Sequence, residues 1–479
     1  MQTDAFMSRI LMVSSEAVPF AKTGGLGDVL GALPQALRAR GEEVAVLLPR
    51  YGSIPLDDAA RVATGVALHP GWMVFHADFW VKQLRGVPYY FVDCPPLFGR
   101  DGYYGSYGSD FGDNHIRFSL LSHAAIALSR QVFRPQILNI HDWQAGLVAP
   151  YLRHFYAHDP TFFGTKIVTT IHNLGYQGRF GPHLLPDIGL GPEHMRPDLL
   201  EFHGDISFLK GAIVYADWIT TVSPTYAREI QTPYFGEGLD GLLAARSNSL
   251  SGILNGVDYA EWNPETDRYI PQRYSSDTLE GKLACKLDLL REFGLDATDP
   301  KRPLIGIVSR FAKQKGFDLI AQVAQPLMDT GAQFVVLGTG EREFEDLFRW
   351  LAATYPDRFS VRVQYSNALA HKIEAGSDFF LMPSRYEPCG LNQIYSLRYG
   401  TLPIVRATGG LEDTVDGDTG FKFWGYTGAE MLGAVHAALD VYRKQPARYR
   451  TMQRAAMHRD FSWDSSAAQY SELFARLTA

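Results

Sequence analysis

Two loops that carry cations follow apolar runs of the sequence, one in each half of the chain. The first reads Lys22-Thr-Gly-Gly25 and leads into a helical pattern, and the second places Arg310 and Lys315 ahead of another. Glycines let backbone amides approach an anion, while an arginine fork and a lysine charge match phosphate oxygens. We expect these loops to bind a diphosphate; a glycine turn with solvated basic side chains is the alternative.

Acidic and imidazole side chains follow three other apolar runs. Asp142 precedes Trp143, His172 precedes an asparagine, and Glu387 lies in a segment rich in proline and glycine. A carboxylate fixed in this way can accept sugar hydroxyl protons or face a developing positive charge, and an indole can stack on a sugar ring. The alternatives are structural histidines, and a helix cap or surface ion pair for Glu387.

Two other features are interpreted as structural. Cys389 is expected to be a packed small residue rather than a nucleophile. Asp416-Gly-Asp418 is similar to the acidic pair with which some sugar transferases bind a metal, but its glycine-rich context and the lack of a nearby third ligand favour a turn. We therefore expect no metal and no other cofactor.

A dinucleotide site is the competing interpretation of the first glycine loop. Gly25-x-Gly27-x-x-x-Gly31 is similar to the fingerprint of such sites, and Arg50 after the next apolar run could contact a 2′-phosphate. That reading would make the protein an NADP-dependent oxidoreductase. However, the fingerprint follows its strand almost immediately, whereas here a longer segment separates the strand from the glycines.

Composition bounds the class of protein. The chain has 479 residues, 46% of them apolar, and a net charge of -7. No broad basic surface is expected, which argues against nucleic acid or an anionic membrane as a partner. Three cysteines spaced far apart fit neither a disulfide framework nor a zinc cluster, and no apolar run reaches the roughly 18 residues of a membrane span. We expect a cytoplasmic protein.

Continuous apolar runs alternate with helical patterns, which is typical of parallel strands buried on both faces. The predicted strands are Arg9–Ser14, Val44–Leu48, Val87–Val92, Ile137–Ile140, Lys166–Ile171, Trp218–Val222, Leu304–Val308, Gln333–Leu337, Val361–Gln364, Phe379–Met382 and Pro403–Val405. The predicted helices are Leu26–Arg40, Leu279–Phe293, Phe317–Met328, Glu341–Ala353, Leu391–Tyr399 and an interrupted tail from Ala429 to Leu477. The pattern weakens after Asp258, so we predict two doubly wound α/β domains, 1–258 completed by 460–479, and 259–459.

The same motifs resemble those of the bacterial glycogen synthase and plant starch synthase family. They are Lys22-Thr-Gly-Gly-Leu, His141-Asp-Trp-Gln, Ile171-His-Asn, Asn255-Gly-Val-Asp258, Ser309-Arg-Phe-x-x-Gln-Lys-Gly316, Ser384-Arg-Tyr-Glu-Pro-Cys-Gly390 and Thr408-Gly-Gly-Leu. Their order and spacing match along nearly the whole chain. The resemblance implies a GT-B fold, in which two Rossmann-like domains face a central cleft and the C-terminal helix returns to the first domain.

The resemblance also implies a reaction, the transfer of glucose from ADP-glucose to the non-reducing 4-hydroxyl of an α-1,4-glucan with retention. The first domain would then bind the acceptor glucan and the second the nucleotide-sugar donor. Lys22, Arg310 and Lys315 would hold the diphosphate, and Asp142, His172 and Glu387 would surround the glucose. The remaining donor-binding residues implied are Gly25, Asn255, Tyr365 near the adenine, Cys389, Gly390, Leu391, and Thr408, Gly409 and Gly410 at the distal phosphate.

Some alternatives stay open at this point. Tyr395 occupies the position at which many related transferases have a second glutamate, and Asn392 stands where several have threonine. Retention without an obvious carboxylate nucleophile suggests attack on the leaving-group face, but a covalent intermediate on Glu387 or Asp142 remains possible. The choice between ADP-glucose and UDP-glucose is also open, as is a glucan-binding protein that has lost the chemistry.

Overall fold

A computed structural model of the chain describes residues 8–106 and 109–479. Its packing defines two compact units, the first formed by 1–222, 227–256 and 463–479 and the second by 223–226 and 257–462. Within the second unit, the short segment 223–226 is bound through Thr225, whose hydroxyl donates to Asp413 at 2.6 Å. The predicted division of labour, acceptor in one domain and donor in the other, stays a prediction.

The strands of the first unit form mainly one large sheet. They are β1 Arg9–Val13, β2 Glu43–Pro49, β3 Ala60–Leu68, β4 Phe75–Leu84, β5 Val87–Asp93, β6 Gly105–Ser106, β7 Ser109–Asp110, β8 Ile137–His141, β9 Lys166–Ile171, β10 Arg179–Phe180, β11 Glu201–Phe202, β12 Asp205–Ser207, β13 Trp218–Thr221 and β14 Leu250–Gly252. The large sheet has the order β14-β13-β9-β8-β1-β2-β5-β4-β3. Its parallel part, β5-β2-β1-β8-β9-β13-β14, is doubly wound, as predicted.

An antiparallel edge is the part of this sheet that the sequence analysis missed. β4 pairs antiparallel with both β3 and β5. Most residues of β3 are exposed or half-buried, so its sequence contains no continuous apolar run. The sequence analysis predicted no strand at β3 or β4, because the inference of parallel strands rested on continuous apolar runs.

The helices of the first unit are α1 Gly25–Ala39, α2 Pro95–Phe98, α3 Asn114–Gln131, α4 Val148–Phe155, α5 Phe208–Tyr215 and α7 Asp240–Ala245. Between the last two lies α6 Pro224–Glu229, which begins in the segment 223–226 of the second unit and ends in the first. In α1, the buried positions Leu26, Val29, Leu30, Leu33 and Leu37 follow helical spacing. This spacing places them on one apolar face, which packs toward the sheet while the polar face stays outside.

The second unit is built around a fully parallel sheet. Its elements are α8 Glu280–Glu292, β15 Leu304–Val308, α9 Phe317–Gln322, α10 Ala324–Asp329, β16 Gln333–Gly338, α11 Arg342–Thr354, β17 Phe359–Val363, α12 Asn367–Gly376, β18 Phe379–Met382, α13 Asn392–Arg398, β19 Leu402–Arg406, α14 Gly409–Thr414, β20 Phe421–Phe423, α15 Gly428–Lys444 and α16 Pro446–Met457. The order β17-β16-β15-β18-β19-β20 is that of a Rossmann sheet.

Two details of this unit differ from the prediction. The helix expected over Phe317–Met328 is two short helices, because the backbone leaves the helical region at Val323 (φ −128°, ψ 27°). The strand expected at Val361–Gln364 begins two residues earlier, at Phe359. Neither change moves the loops that follow β15 and β18.

The last helix, α17 Trp463–Thr478, belongs to the first unit and packs against α1. At the start of this helix, the backbone of Trp463 packs closely against Gly256. A Cβ on Gly256 would lie only 2.7 Å from the backbone of Trp463. The predicted return of the C-terminal helix is therefore confirmed. Over the described ranges, no helix is both long enough and apolar enough to span a bilayer.

Candidate active site

The predicted residues of the first unit lie at the carboxyl ends of adjacent strands. The Lys22 loop follows β1, Asp142 follows β8, and His172 follows β9. In the sheet, β2 lies on one side of β1 and β8 lies on the other, so the strand order reverses at β1. Ligands of doubly wound sheets bind in the crevice at such a reversal, because loops on either side of it diverge.

A carboxylate that the sequence analysis did not single out occupies the Lys22 loop. Glu16 is buried, and its oxygens accept from the amides of Thr23 (2.6 Å) and Gly24 (3.3 Å) and from the Tyr104 hydroxyl (2.5 Å). The loop amides expected to approach a phosphate therefore already bind an internal anion. Glu16 shapes the loop, and a phosphate role for the Lys22 side chain stays a prediction.

Lys22 itself has a partner in this structure. Its ammonium lies 2.6 Å from Oδ1 of Asp28 in the first turns of α1, and the lysine side chain remains 43% exposed. Exposed pairs of this kind contribute little to stability, so a phosphate could replace the carboxylate at small cost. At Gly25, no atom lies within 4 Å of the position a Cβ would take, so local packing does not require a glycine there.

Asp142 is held in an unusual conformation at the end of β8. Its φ of 54° and ψ of −170° fall in a region that is essentially restricted to glycine. Its Oδ1 accepts from the backbone amide of His172 at 2.7 Å, which ties the β8 loop to the β9 loop. Such strain persists only where neighbouring interactions impose it, and it is common at active sites.

Burial changes the protonation of Asp142. Loss of hydration raises the pKa of its carboxyl to about 7, partly opposed by hydrogen bonds from the amides of His172 and Asn173. The negative charge of Glu16 raises this pKa further. Near neutral pH, Asp142 therefore exchanges a proton instead of being permanently charged.

His172 is paired with the histidine that precedes Asp142. Nδ1 of His141 lies 2.9 Å from Nε2 of His172, and both side chains are buried. Burial lowers the pKa of His172 to about 3, and burial followed by the charge of His172 lowers the pKa of His141 well below its usual value. Both rings are neutral at pH 7, so one donates to the other and His172 is fixed in orientation.

Asn255 is the last predicted residue of this unit. Its side chain is buried, and its Oδ1 has no hydrogen-bond partner within the described residues. A buried amide oxygen without a partner costs free energy. This atom is therefore a candidate acceptor for a ligand group.

In the second unit, the predicted cations and carboxylate lie on two adjacent loops. Arg310 and Lys315 follow β15 and Glu387 follows β18, at the reversal of the strand order. The two loops touch, because a Cβ on Gly316, which has a φ of 73°, would lie 2.0 Å from the carbonyl oxygen of Pro383. Only glycine fits this left-handed position next to the neighbouring backbone.

Lys315 and Glu387 bind each other directly. The lysine Nζ lies 2.7 Å from Oε2 of Glu387, and the carboxylate side chain is only 7% exposed. Oε2 also accepts from the hydroxyl of Ser384 at 3.0 Å. Glu387 is therefore neither a helix cap nor a surface ion pair, but a buried carboxylate with a fixed direction.

The Thr408 loop after β19 packs against the Glu387 loop. A Cβ on Gly409, which has a φ of 47°, would lie 1.9 Å from the Glu387 carbonyl oxygen, and one on Gly410 would lie 2.1 Å from that of Cys389. The Gly410 amide donates to the Glu387 carbonyl at 3.1 Å. This hydrogen bond holds the two loops together, and a phosphate contact from the Thr408 loop stays a prediction.

The other predicted residues of the second unit differ in exposure. Cys389 is buried, and Gly390 has a φ of 73°, which a side chain rarely adopts. Leu391 directly precedes α13. By contrast, Arg310 is exposed, and the ring of Tyr365, which follows β17, is 81% exposed. An exposed ring at the carboxyl edge of the sheet leaves a face on which a base can stack.

The Asp416-Gly-Asp418 segment forms a turn, as predicted. Oδ1 of Asp416 accepts from the amide of Asp418 and from the hydroxyl of Thr419, each at 3.0 Å. The other carboxylate oxygen of Asp416 is bound by Arg459. These contacts hold the Asp416 carboxylate within the turn.

Two protein families match this chain. The family described as "Starch synthase catalytic domain" matches residues 9–245, and "Glycosyl transferases group 1" matches residues 295–451. Among curated proteins, glycogen synthase of Koribacter versatilis is 51% identical, and that of Anaeromyxobacter sp. (strain Fw109-5) is 50% identical. The alignments cover 97% of both chains in the first case, and 98% of this chain and 99% of the relative in the second.

A solved structure is similar over the same length. The catalytic domain of starch synthase IV from Arabidopsis thaliana, bound to ADP and acarbose, superimposes with a TM-score of 0.91 at 34% identity. The match covers 98% of this chain and 99% of that one. The sequence resemblance, the parallel sheets and the relatives agree, so the chain belongs to the glycogen and starch synthase family of GT-B glycosyltransferases.

Proposed function

We propose that the protein transfers glucose from ADP-glucose to the non-reducing 4-hydroxyl of an α-1,4-glucan, with retention of the anomeric configuration. The observation that carries this proposal is the likeness, over nearly the whole chain, to a starch synthase structure that holds ADP and acarbose. Relatives called glycogen synthase, about half identical to this chain, support the same reaction. Three cysteines without a disulfide framework support a reducing compartment, the cytoplasm.

The second unit supplies groups that suit the donor. Breaking a glycosyl–phosphate bond places negative charge on the diphosphate and positive charge on the sugar, so cations and oxygen acceptors are both needed. Arg310 and Lys315 would stabilise the diphosphate, and Glu387 would face the sugar. Their loops are neighbours at the reversal of the strand order, which is where doubly wound sheets bind ligands.

The first unit supplies groups that suit glucose. His172 is neutral and fixed by His141, so it can exchange hydrogen bonds with a hydroxyl without carrying a charge. Asp142 lies beside it, bound to its backbone amide. With attack on the leaving-group face, the departing diphosphate would take the proton of the acceptor hydroxyl, and no carboxylate would form a covalent bond to the sugar.

Turnover with defined substrates tests the proposal. Purified protein is incubated with maltoheptaose and either ADP-glucose or UDP-glucose, and release of the nucleoside diphosphate is measured. We expect chain extension with ADP-glucose, and susceptibility of the product to α-amylase shows that the new bond has retained configuration. Binding of maltoheptaose without release of ADP would support the non-catalytic alternative, and faster UDP release would reassign the donor.

A further inference from the structure

Two histidines and a glutamate outside the proposed transfer site come together in the first unit. His154 lies in the last turn of α4, while Glu193 and His194 lie in a 3-10 helix, Pro192–His194. One potential ligand atom from each of the three side chains lies within 4.8 Å of the others. None of the three residues belongs to the motifs that identify the family.

Packing shows that this grouping is built into the fold. The rings of His154 and His194 are 4.6 Å apart between centroids, at an angle of 78°. His194 is only 2% exposed, and Oε1 of Glu193 lies 3.3 Å from its Nδ1. The Glu193 side chain folds back over the backbone, since a Cβ on Gly191 would lie 2.2 Å from its Oε2.

The hydrogen bonding of His194 also suits a metal ligand. Nδ1 of His194 lies 3.3 Å from both Oε1 of Glu193 and the carbonyl oxygen of Gly191. Both of these oxygens are acceptors, so Nδ1 carries the hydrogen and Nε2 is the nitrogen that keeps a lone pair for a metal. A backbone carbonyl is the usual partner that orients a metal-binding imidazole through its second nitrogen.

We propose that His154, Glu193 and His194 bind a single transition-metal ion, with Zn²⁺ as the best match. Two imidazoles and one carboxylate are ligands typical of Zn²⁺, whereas Mg²⁺ and Ca²⁺ prefer sets made only of oxygen. Ligand atoms around a tetrahedral Zn²⁺ are about 3.3 Å apart. His154 and Glu193 are both exposed, so small rotations of their side chains can close the present separation.

The ion would join two segments that lie downstream of the proposed site residues. α4 follows the Asp142 loop, and the 3-10 helix lies in the segment between β10 and β11, after the His172 loop. An ion that binds only the folded chain stabilises it. The role is therefore structural, and it neither depends on the proposed transfer reaction nor supplies a group to it.

Metal titration of the full chain tests this site. After treatment with EDTA and removal of any affinity tag, the protein is titrated with Zn²⁺ by calorimetry, and Co²⁺ is added separately to record its ligand-field absorption. We expect one Zn²⁺ per chain and a higher melting temperature with Zn²⁺. In His154→Ala and in Glu193→Gln, the affinity should fall about tenfold or more.

His158→Ala is the matched control, because His158 is also an exposed histidine of this unit, close to the end of α4. It should bind Zn²⁺ like the wild type. Absence of stoichiometric binding in the wild type would overturn the proposal. So would unchanged affinity in both ligand variants, or an equal loss in the control. Two variants at separate exposed positions keep the test valid if one of them folds poorly.

Discussion

The ammonium nitrogen of Lys315 lies 2.7 Å from a carboxylate oxygen of Glu387. The family resemblance had implied different roles for these two residues. The lysine was assigned to the diphosphate and the glutamate to the glucose. Because the two side chains are in direct contact, the group that would bind the leaving diphosphate and the group that would face the sugar form one ion pair. A change in either side chain therefore alters the charge next to the other.

Replacing Glu387 by Gln should lower kcat by about tenfold to a hundredfold or more, while ADP affinity changes much less than turnover. The amide preserves shape but removes the charge that would oppose the positive charge of the transition state. Steady-state kinetics and calorimetry with ADP measure the two effects separately. An equal loss of ADP affinity and turnover would indicate that Glu387 acts mainly by holding Lys315.

The coupling can be measured with a double-mutant cycle. Lys315→Ala alone leaves the buried Glu387 carboxylate without its ammonium partner, so the double variant with Gln should lose less than the sum of the two single losses. The melting temperatures of the wild type, the two single variants and the double variant measure the same coupling for stability. Strictly additive losses in both measurements would contradict a coupled pair.

Arg310→Ala should reduce kcat/KM by about tenfold to a hundredfold, because hydrogen bonds to charged groups are each worth roughly 1.5–3 kcal/mol. Lys313→Ala is the matched control, since Lys313 is an exposed cation of the same loop that was not assigned to the phosphate. We expect the control to retain nearly normal turnover. Similar rates in the two variants would show that the loop contributes only a general positive charge.

Much of this arrangement could be predicted because parallel strands buried on both faces leave continuous apolar runs in the sequence. The loops that end β15 and β18 were located correctly for this reason. The edge strand β3 was missed because its largely exposed residues break the apolar pattern. The break at Val323 was missed because it depends on backbone angles within an otherwise helical pattern.

Contacts between distant residues could not be predicted in the same way. Glu16 lies in the Lys22 loop, but its binding to the amides of Thr23 and Gly24 depends on how the loop folds back. The only signal in the sequence was a glutamate a few residues before a run of glycines. The contact of Gly409 with the Glu387 carbonyl depends on the spacing of β18 and β19, which a residue pattern does not give.

Activity should survive exhaustive treatment with EDTA. In the proposed donor site, Arg310 and Lys315 would balance the diphosphate charge, and Asp416 is already bound within a turn and by Arg459. ADP release is measured before and after chelation, and again with added Mg²⁺ or Mn²⁺. Loss of activity that either ion restores would contradict a metal-independent reaction. Removal of Zn²⁺ from the His154 cluster should change the melting temperature without abolishing turnover.

The buried carboxyl of Asp142 should make stability depend on pH. Its pKa is raised from 3.8 to about 7 by burial, and the nearby charge of Glu16 contributes to the rise. Between these two values the unfolded chain has released a proton that the folded chain still holds. The contribution of Asp142 to the free energy of unfolding therefore falls as pH rises toward 7, and it changes little above that.

Asp142→Asn removes this dependence while its side-chain oxygen can still accept from the His172 amide. Relative to the wild type, the variant should become progressively more stable from pH 5 to pH 7, by roughly 2 kcal/mol. Denaturant unfolding at each pH measures the difference. Asp142→Gly also lacks the carboxyl, and it relieves the backbone strain. Its free energy of unfolding should therefore depend on pH in the same way as that of the Asn variant, but differ from it by a constant amount. Wild-type and Asn curves that stay parallel across this range would show that Asp142 is ionised throughout.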